Sequence, residues 1–138
     1  MLSVVVPVYN EVENLRGLHE EIRAALSGLD RGFEVIYVDD GSRDGSRALL
    51  AEIQAGDPHV VVVELRRNFG QTAAMAAGFD HARGDVIATL DADRQNDPAD
   101  IPAMLRVLDD GCDLVAGWRY DRQDAWLTRR LPSRLANA

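Results

Sequence analysis

Short apolar runs alternate with stretches of helical periodicity along almost the whole chain, and this alternation restricts the possible folds more than any other feature. The runs Leu2–Val8, Phe33–Val38, Val60–Glu64, Val86–Leu90 and Leu114–Trp118 read as strands of a buried sheet. After the first run, Val12, Leu15, Leu18, Ile22, Leu26 and Leu29 recur at three- and four-residue steps and give one helix face. Arg43–Ala55 and roughly Gly70–His81 read as further helices. Asp97-Pro98 opens another that runs to about Asp109, with Pro in its first turn. Alternation of this kind implies an α/β fold, a mostly parallel sheet flanked by helices and joined by right-handed βαβ crossovers.

Bulk properties remove several classes of function. A net charge of -8 argues against nucleic acid as the main partner. The charge is uneven: residues 119–138 hold five Arg against two Asp, so a basic end segment follows an acidic body. That segment reads either as a solvated Arg-rich face or as a place for anionic phosphates. There is no Lys anywhere, which removes Schiff-base chemistry and a P-loop lysine. No apolar stretch approaches the ~20 residues of a membrane helix. Leu2–Val8 is too short for a signal peptide and lacks a basic flank. The single cysteine, Cys112, cannot pair within the chain and reads as a half-buried filler beside a strand, in a reducing setting. His19, His59 and His81 show no ligand spacing and receive no chemistry.

Five stretches carry possible chemistry, each with a plainer structural reading beside it. In Pro7-Val8-Tyr9-Asn10-Glu11, Pro7 ends strand hydrogen bonding, Asn10 caps the next helix and Glu11 suits its positive end. The functional reading makes the same stretch a wall for a nucleotide base. In Val38-Asp39-Asp40-Gly41-Ser42, Gly41 makes the turn and Ser42 caps a helix. Asp39 is assigned to the turn and Asp40 to a ribose hydroxyl or a base N–H. The stretch Arg66–Thr72 either caps its own loop with Asn68 or Thr72, or offers a helix N-terminus to phosphate. Asp91-Ala92-Asp93-Arg94-Gln95 follows a strand directly, and carboxylates one residue apart converge on one point, with the Gln95 carbonyl in reach. Hard cations such as Mg²⁺ accept few carboxylates and keep positions open for phosphates. Last, Arg119, Arg129 and Ser133 suit phosphate oxygens, or belong to a surface helix; Trp118 reads as core.

Taken in this order, the motifs resemble family 2 glycosyltransferases of the GT-A fold. The likeness is to the branch of dolichol-phosphate mannose synthase and bacterial polyprenyl-phosphate glycosyltransferases. It rests on Val5–Leu15, Val38–Ser42, Arg67-Asn68-Phe69-Gly70, Gly84-Asp85-Val86, Asp91–Pro98 and the spacing of Arg129, Ser133 and Asn137. The resemblance implies that Pro7, Tyr9, Glu11, Val38 and Asp40 line a nucleotide pocket. It implies that Asp91, Asp93 and Gln95 hold Mg²⁺ or Mn²⁺ against the donor diphosphate. Arg119, Arg129 and Ser133 would gather donor and acceptor phosphates. The implied reaction is inverting transfer of a hexose from a UDP- or GDP-sugar to a dolichyl or undecaprenyl phosphate, with Asp91, Asp93, Arg119 and Arg129 as its catalytic set.

On the same resemblance, residues 1–138 form one catalytic domain, its nucleotide- and metal-binding part. The remainder of the acceptor site would be missing from a truncated chain. The full-length protein would work in the cytoplasm at the inner face of the membrane. Position 94 departs from the pattern, since relatives usually carry an apolar residue where this chain has Arg. Two alternatives stay open. One is a nucleotidyltransferase that makes a sugar nucleotide, although the Gly-rich basic loop it normally needs is replaced by Tyr9-Asn10-Glu11. The other is a catalytically incomplete fragment that only binds nucleotide.

Overall fold

The computed structural model describes residues 1–116. Four strands, β1 (Leu2–Val8), β2 (Phe33–Asp39), β3 (Val60–Glu64) and β4 (Val86–Thr89), form one parallel sheet in the order β3-β2-β1-β4. They alternate with α1 (Val12–Leu26), α2 (Ser46–Gly56) and α3 (Gln71–His81). A 3₁₀ turn at Pro98–Asp100 precedes α4 (Ile101–Asp109). The chain divides into two units near residue 100; residues 1–99 form the first, compact and holding the whole sheet and α1 to α3. The expected α/β fold, a parallel sheet flanked by helices, is borne out.

Register assigns the helices to faces. Val6 stands opposite Tyr37, and His19 of α1 reaches the Tyr37 hydroxyl, so α1 covers that face. Val5, Ile36 and Val38 look the other way, onto α3. There Ala74 and Gly78 let the helix lie close: a Cβ on Gly78 would collide with Val5 Cγ1 and press Val38 Cγ2 at 3.3 Å. β1 is buried on both faces, and Leu2, Val4, Val5 and Val6 lose all their exposure. Each such side chain contributes roughly 1.5–3 kcal/mol on burial.

The order of the strands creates a crevice. From β1 the chain steps outward to β2 and β3, and α3 then carries it back to set β4 on the other side of β1. The loops that leave β1 and β4 therefore diverge at their carboxyl ends, where open α/β sheets bind ligands.

Several local expectations are corrected. Leu114, Val115 and Ala116 are in no strand, since an apolar run by itself does not make one; residues 117 and 118 lie outside the described part. Cys112 is exposed and not half-buried, and the described residues around it follow α4 as a loop. Helix α1 stops at Leu26, ahead of Ser27-Gly28, so Leu29 sits beyond it in a turn closed by its own N–H on the Leu26 carbonyl. Helix α2 starts at Ser46 because Asp44 draws residues 43–45 into a turn, accepting from Ser46 N at 3.0 Å.

Pro7 does not end the strand either. Val8 still pairs with Asp39, and Asp40 N donates to the Val8 carbonyl at 2.8 Å. Alternate residues bond to opposite neighbours, and Leu90 N bonds the Val5 carbonyl. The missing N–H of Pro7 thus points past the end of β4, where no ladder bond is lost. Among the described residues no helix is long and apolar enough to cross a membrane.

Candidate functional site

A cavity of about 360 Å³ occupies the crevice at the carboxyl ends of β1, β2 and β4. Pro7, Val8, Tyr9 and Glu11 form its β1 wall, and Asp40 closes the β2 end. Asn68, Gly70 and Gln71 come from the start of α3, and Asp91, Ala92 and Asp93 from the loop after β4. Six of the residues expected at a nucleotide and metal site thus meet around one space: Pro7, Tyr9, Glu11, Asp40, Asp91 and Asp93. Val38 does not join them. It is fully buried beneath α3, one residue short of the strand end. Gln95 is exposed and outside the lining; its backbone N–H donates to Asp93 Oδ1 at 3.1 Å. Arg119, Arg129 and Ser133 lie outside the described residues, as do Trp118 and Asn137.

The adjacent carboxylates Asp39 and Asp40 avoid one another by taking separate donors. Asp39 is fully buried, receives Arg47 Nε at 2.8 Å and the turn amide of Ser42 at 3.3 Å, and so holds the turn as expected. Asp40 is 3% exposed and receives Phe69 N at 2.8 Å, Gly70 N at 3.1 Å and Asn68 Nδ2 at 3.2 Å. It therefore anchors the loop that opens α3. Gly41 makes the approach possible. Its φ is +75°, and a Cβ there would strike the backbone N of Asn68 and sit 2.5 Å from the Arg67 carbonyl carbon. Asn68 serves Asp40 rather than the end of its own helix, and the α3 N-cap, Gly70, makes no side-chain cap.

Two capping assignments are corrected. Asn10 adopts φ +52°, and its Oδ1 accepts from Arg43 N at 2.8 Å, so it ties the β1 loop to the β2 loop. Ser42 accepts from Asn10 N at 2.9 Å and caps no helix. The cap falls to Asp44, which accepts from Val12 N of α1 at 3.2 Å and from Ser46 N and Oγ of α2 at 3.0 and 2.6 Å. Burial pushes the Asp44 carboxyl up, but these hydrogen bonds outweigh it and leave the group below its ordinary value. One side chain thus starts two helices, a pairing over more than thirty residues that no local pattern announces.

On the β4 side, Asp91 is half-buried, Ala92 is buried and Asp93 is exposed. Asp91 Oδ1 accepts from Gln71 Nε2 at 3.1 Å. Arg94, the position that departs from the pattern, adopts φ +63° and turns away from the cavity. Its guanidinium passes over Gly17, 2.8 Å from where a Cβ would stand, and pairs with Glu21 of α1. Among the described residues no three His, Cys, Asp or Glu side chains are gathered into a metal shell. Two carboxylates on one cavity wall still fit a hard cation that takes few protein oxygens and fills its remaining positions with phosphate and water.

A second group of polar residues was missed by sequence reasoning. A cavity of about 320 Å³ is lined in part by Arg16, His19, Arg23 and Asp57. Burial holds the Tyr37 hydroxyl far above its ordinary value, so it remains a donor, and it meets His19 Nδ1 at 2.9 Å. His19 Nε2 then donates to Asp57 Oδ2 at 3.0 Å. The neutral imidazole thereby has both nitrogens satisfied. Burial lowers the His19 pKa, and the attraction of Asp57 only partly offsets this. Asp57 also takes His59 N and Nδ1, each at 2.9 Å, and Arg23 Nε at 3.2 Å. Desolvation raises the Asp57 carboxyl, but these partners prevail and lower it. The Asp57-Pro58 turn signal was present in the sequence; its convergence with His19 from α1 was not.

Comparison with known proteins agrees with the fold and the motif order. The transferase for undecaprenyl-phosphate 4-deoxy-4-formamido-L-arabinose of Edwardsiella ictaluri (strain 93-146) is 47% identical over 137 residues, covering 99% of this chain and 42% of that protein. Its counterpart in Sodalis glossinidius (strain morsitans) is 46% identical over 138 residues, with the same coverage. The chain thus spans about two-fifths of the length of these curated relatives, whose names include the undecaprenyl phosphate of the branch that the motifs resemble. S. aureus TarS 1-349, solved with UDP-GlcNAc, superposes with a TM-score of 0.69 at 21% identity over 90% of this chain and 36% of its own. The mannosyltransferase PcManGT of Pyrobaculum calidifontis, solved with GDP-Man and Mn²⁺, gives 0.66 at 24% identity over 86% and 35%. These neighbours establish the GT-A-like fold. The model of "Glycosyl transferase family 2" matches residues 3–137, and the chain belongs to that family.

Proposed function

We propose that this chain is the donor-binding part of an inverting, metal-dependent glycosyltransferase that passes a sugar from a nucleotide diphosphate to a polyprenyl phosphate. The observation that carries the reading is the one cavity that gathers Tyr9, Glu11 and Asp40 together with Asp91 and Asp93. Such a lining suits a ligand that carries both a base with its ribose and a diphosphate. Tyr9, 47% exposed at the mouth, offers a flat contact to the base. Pro7 and Glu11 complete that wall, with Val38 supporting it from beneath. Asp40 acts there mainly by fixing the wall, because its carboxylate already serves three donors.

Asp91 and Asp93, with Gln95 brought in from the loop edge, would hold Mg²⁺ or Mn²⁺, which stabilises the charge on a leaving diphosphate. Arg119, Arg129 and Ser133 are assigned to the phosphates by the family pattern alone. A phosphate acceptor is already an anion, so the reaction needs orientation more than a general base. The curated relatives are named for a substituted arabinose, so the proposal is for a glycosyl residue and not for a hexose in particular. The membrane is the natural source of the lipid acceptor, met by the full-length protein.

Calorimetric titration of UDP, GDP, CDP and dTDP tests the reading, with Mn²⁺ and then with EDTA. One nucleotide should bind in Mn²⁺, lose its heat in EDTA, and bind more weakly to Asp93→Asn. Unchanged affinity in that variant, or no binding by the folded protein, counts against the assignment. Pyrophosphate release from a nucleoside triphosphate and a sugar phosphate would favour the nucleotidyltransferase instead.

A further inference from the structure

We infer that Gln71 is a positioning residue that fixes which way the Asp91 carboxylate faces the cation; this rests on the donor-site reading above. Gln71 is the first residue of α3, and its Nε2 lies 3.1 Å from Asp91 Oδ1, twenty residues along the chain. An ionised carboxylate only accepts, so the group that faces it is the amide NH₂ and not the amide oxygen.

The backbone of Gln71 is itself held in place. Gly70, immediately before it, donates to Asp40, as does Phe69. On the other side, Asp91 stands between Leu90, whose N–H bonds the Val5 carbonyl, and Ala92, which is 4% exposed. Both backbones are therefore fixed, and the direction of the Asp91 carboxylate is set by its side-chain torsions. Rotation about the terminal sp³–sp² bond of Asp is broad and two-fold, so its two oxygens are easily exchanged. A donor on Oδ1 distinguishes the two oxygens and favours one facing of the carboxylate.

The neutrality of the donor matters. An Arg at this place would orient Asp91 and also cancel the charge that attracts a cation. The amide orients without neutralising, as outer partners of metal-binding carboxylates do, and their removal typically weakens metal binding ~10–100-fold. Gln71 lines the cavity with an exposed side chain, so it can be changed without opening the core.

The test uses Gln71→Met, which keeps length and helix propensity but removes the donor. Free Mn²⁺ is counted by electron paramagnetic resonance during titration in the presence of the nucleotide that the parent binds. The expected result is a rise of at least tenfold in the Mn²⁺ Kd with an unchanged melting midpoint. A second measurement needs no metal: the Gln71 side-chain amide resonances in a ¹⁵N-correlated spectrum should move on Asp91→Ala. A Kd within twofold of the parent, or Gln71 resonances that stay in place, overturns the inference while leaving the donor site standing. A parent that takes up no Mn²⁺ with any nucleotide refutes the donor-site reading, and the inference falls with it.

Discussion

Replacing Asp40 by Ala should loosen the start of α3 before it affects anything else. The carboxylate accepts from Phe69 N, Gly70 N and Asn68 Nδ2 at 2.8, 3.1 and 3.2 Å and is almost wholly buried. A hydrogen bond to a charged group contributes about 1.5–3 kcal/mol when its partner is left unmet. Here the donors lie on a partly exposed loop and recover water on opening, so the lower end applies to each backbone bond. The two together amount to about 3 kcal/mol, with little more from Asn68. For a domain of this size that corresponds to a fall in Tm of ~10 °C. Urea and thermal melts measure the total. Hydrogen exchange locates it, since the amides of Phe69 and Gly70 should lose protection beyond the global change. Asp40→Asn keeps one acceptor oxygen and should fall between the two. If Asp40→Ala abolished nucleotide binding while stability and the protection of both amides stayed at parent values, Asp40 would be a direct ligand contact and not an anchor.

Two further outcomes are expected. Asp44→Ala should destabilise by about 2 kcal/mol, two helix starts at ~1 kcal/mol each, and the loss should appear in exchange at both Val12 and Ser46; an effect confined to α2 would contradict the shared cap. Stability should also fall on mild acidification. The unfolded His19 binds its proton near 6.5 and the folded one only at lower pH, so the contribution is complete above 6.5 and is lost as pH drops below it. Urea melts from pH 8 to pH 5 should show that slope in the parent and a flatter one in His19→Gln, and equal slopes would exclude His19 as its source.

Strands were legible in the sequence where burial on both faces leaves an unbroken apolar run. Leu2–Val8 and Val60–Glu64 have the ends that the residues announce. Leu114–Ala116 shows the limit, since the same kind of apolar run there is not a strand. The residues of the candidate site were legible because they lie at or close after the carboxyl ends of strands, and a parallel sheet delivers all such ends to one edge. What joins those residues was not legible. Asp40 to Phe69, Asn10 to Arg43, and His19 to Asp57 are contacts between segments 29, 33 and 38 residues apart, and their chemistry leaves no periodicity to read. The same applies to Arg94, whose partner Glu21 lies on a helix that the sequence offers no reason to connect with it.

The ties around the cavity run in series. Asn10 joins the β1 loop to the β2 loop, Asp40 joins the β2 loop to the head of α3, and Gln71 joins α3 to the β4 loop. This series bears on how donor preference can be moved between relatives. A single loop taken from another protein would arrive without its partners and leave these donors and acceptors unmatched, the buried Asp40 carboxylate among them. Recombination should therefore succeed when residues 7–93 travel as one block and the crossover is placed near residue 100, where the chain already divides into two units.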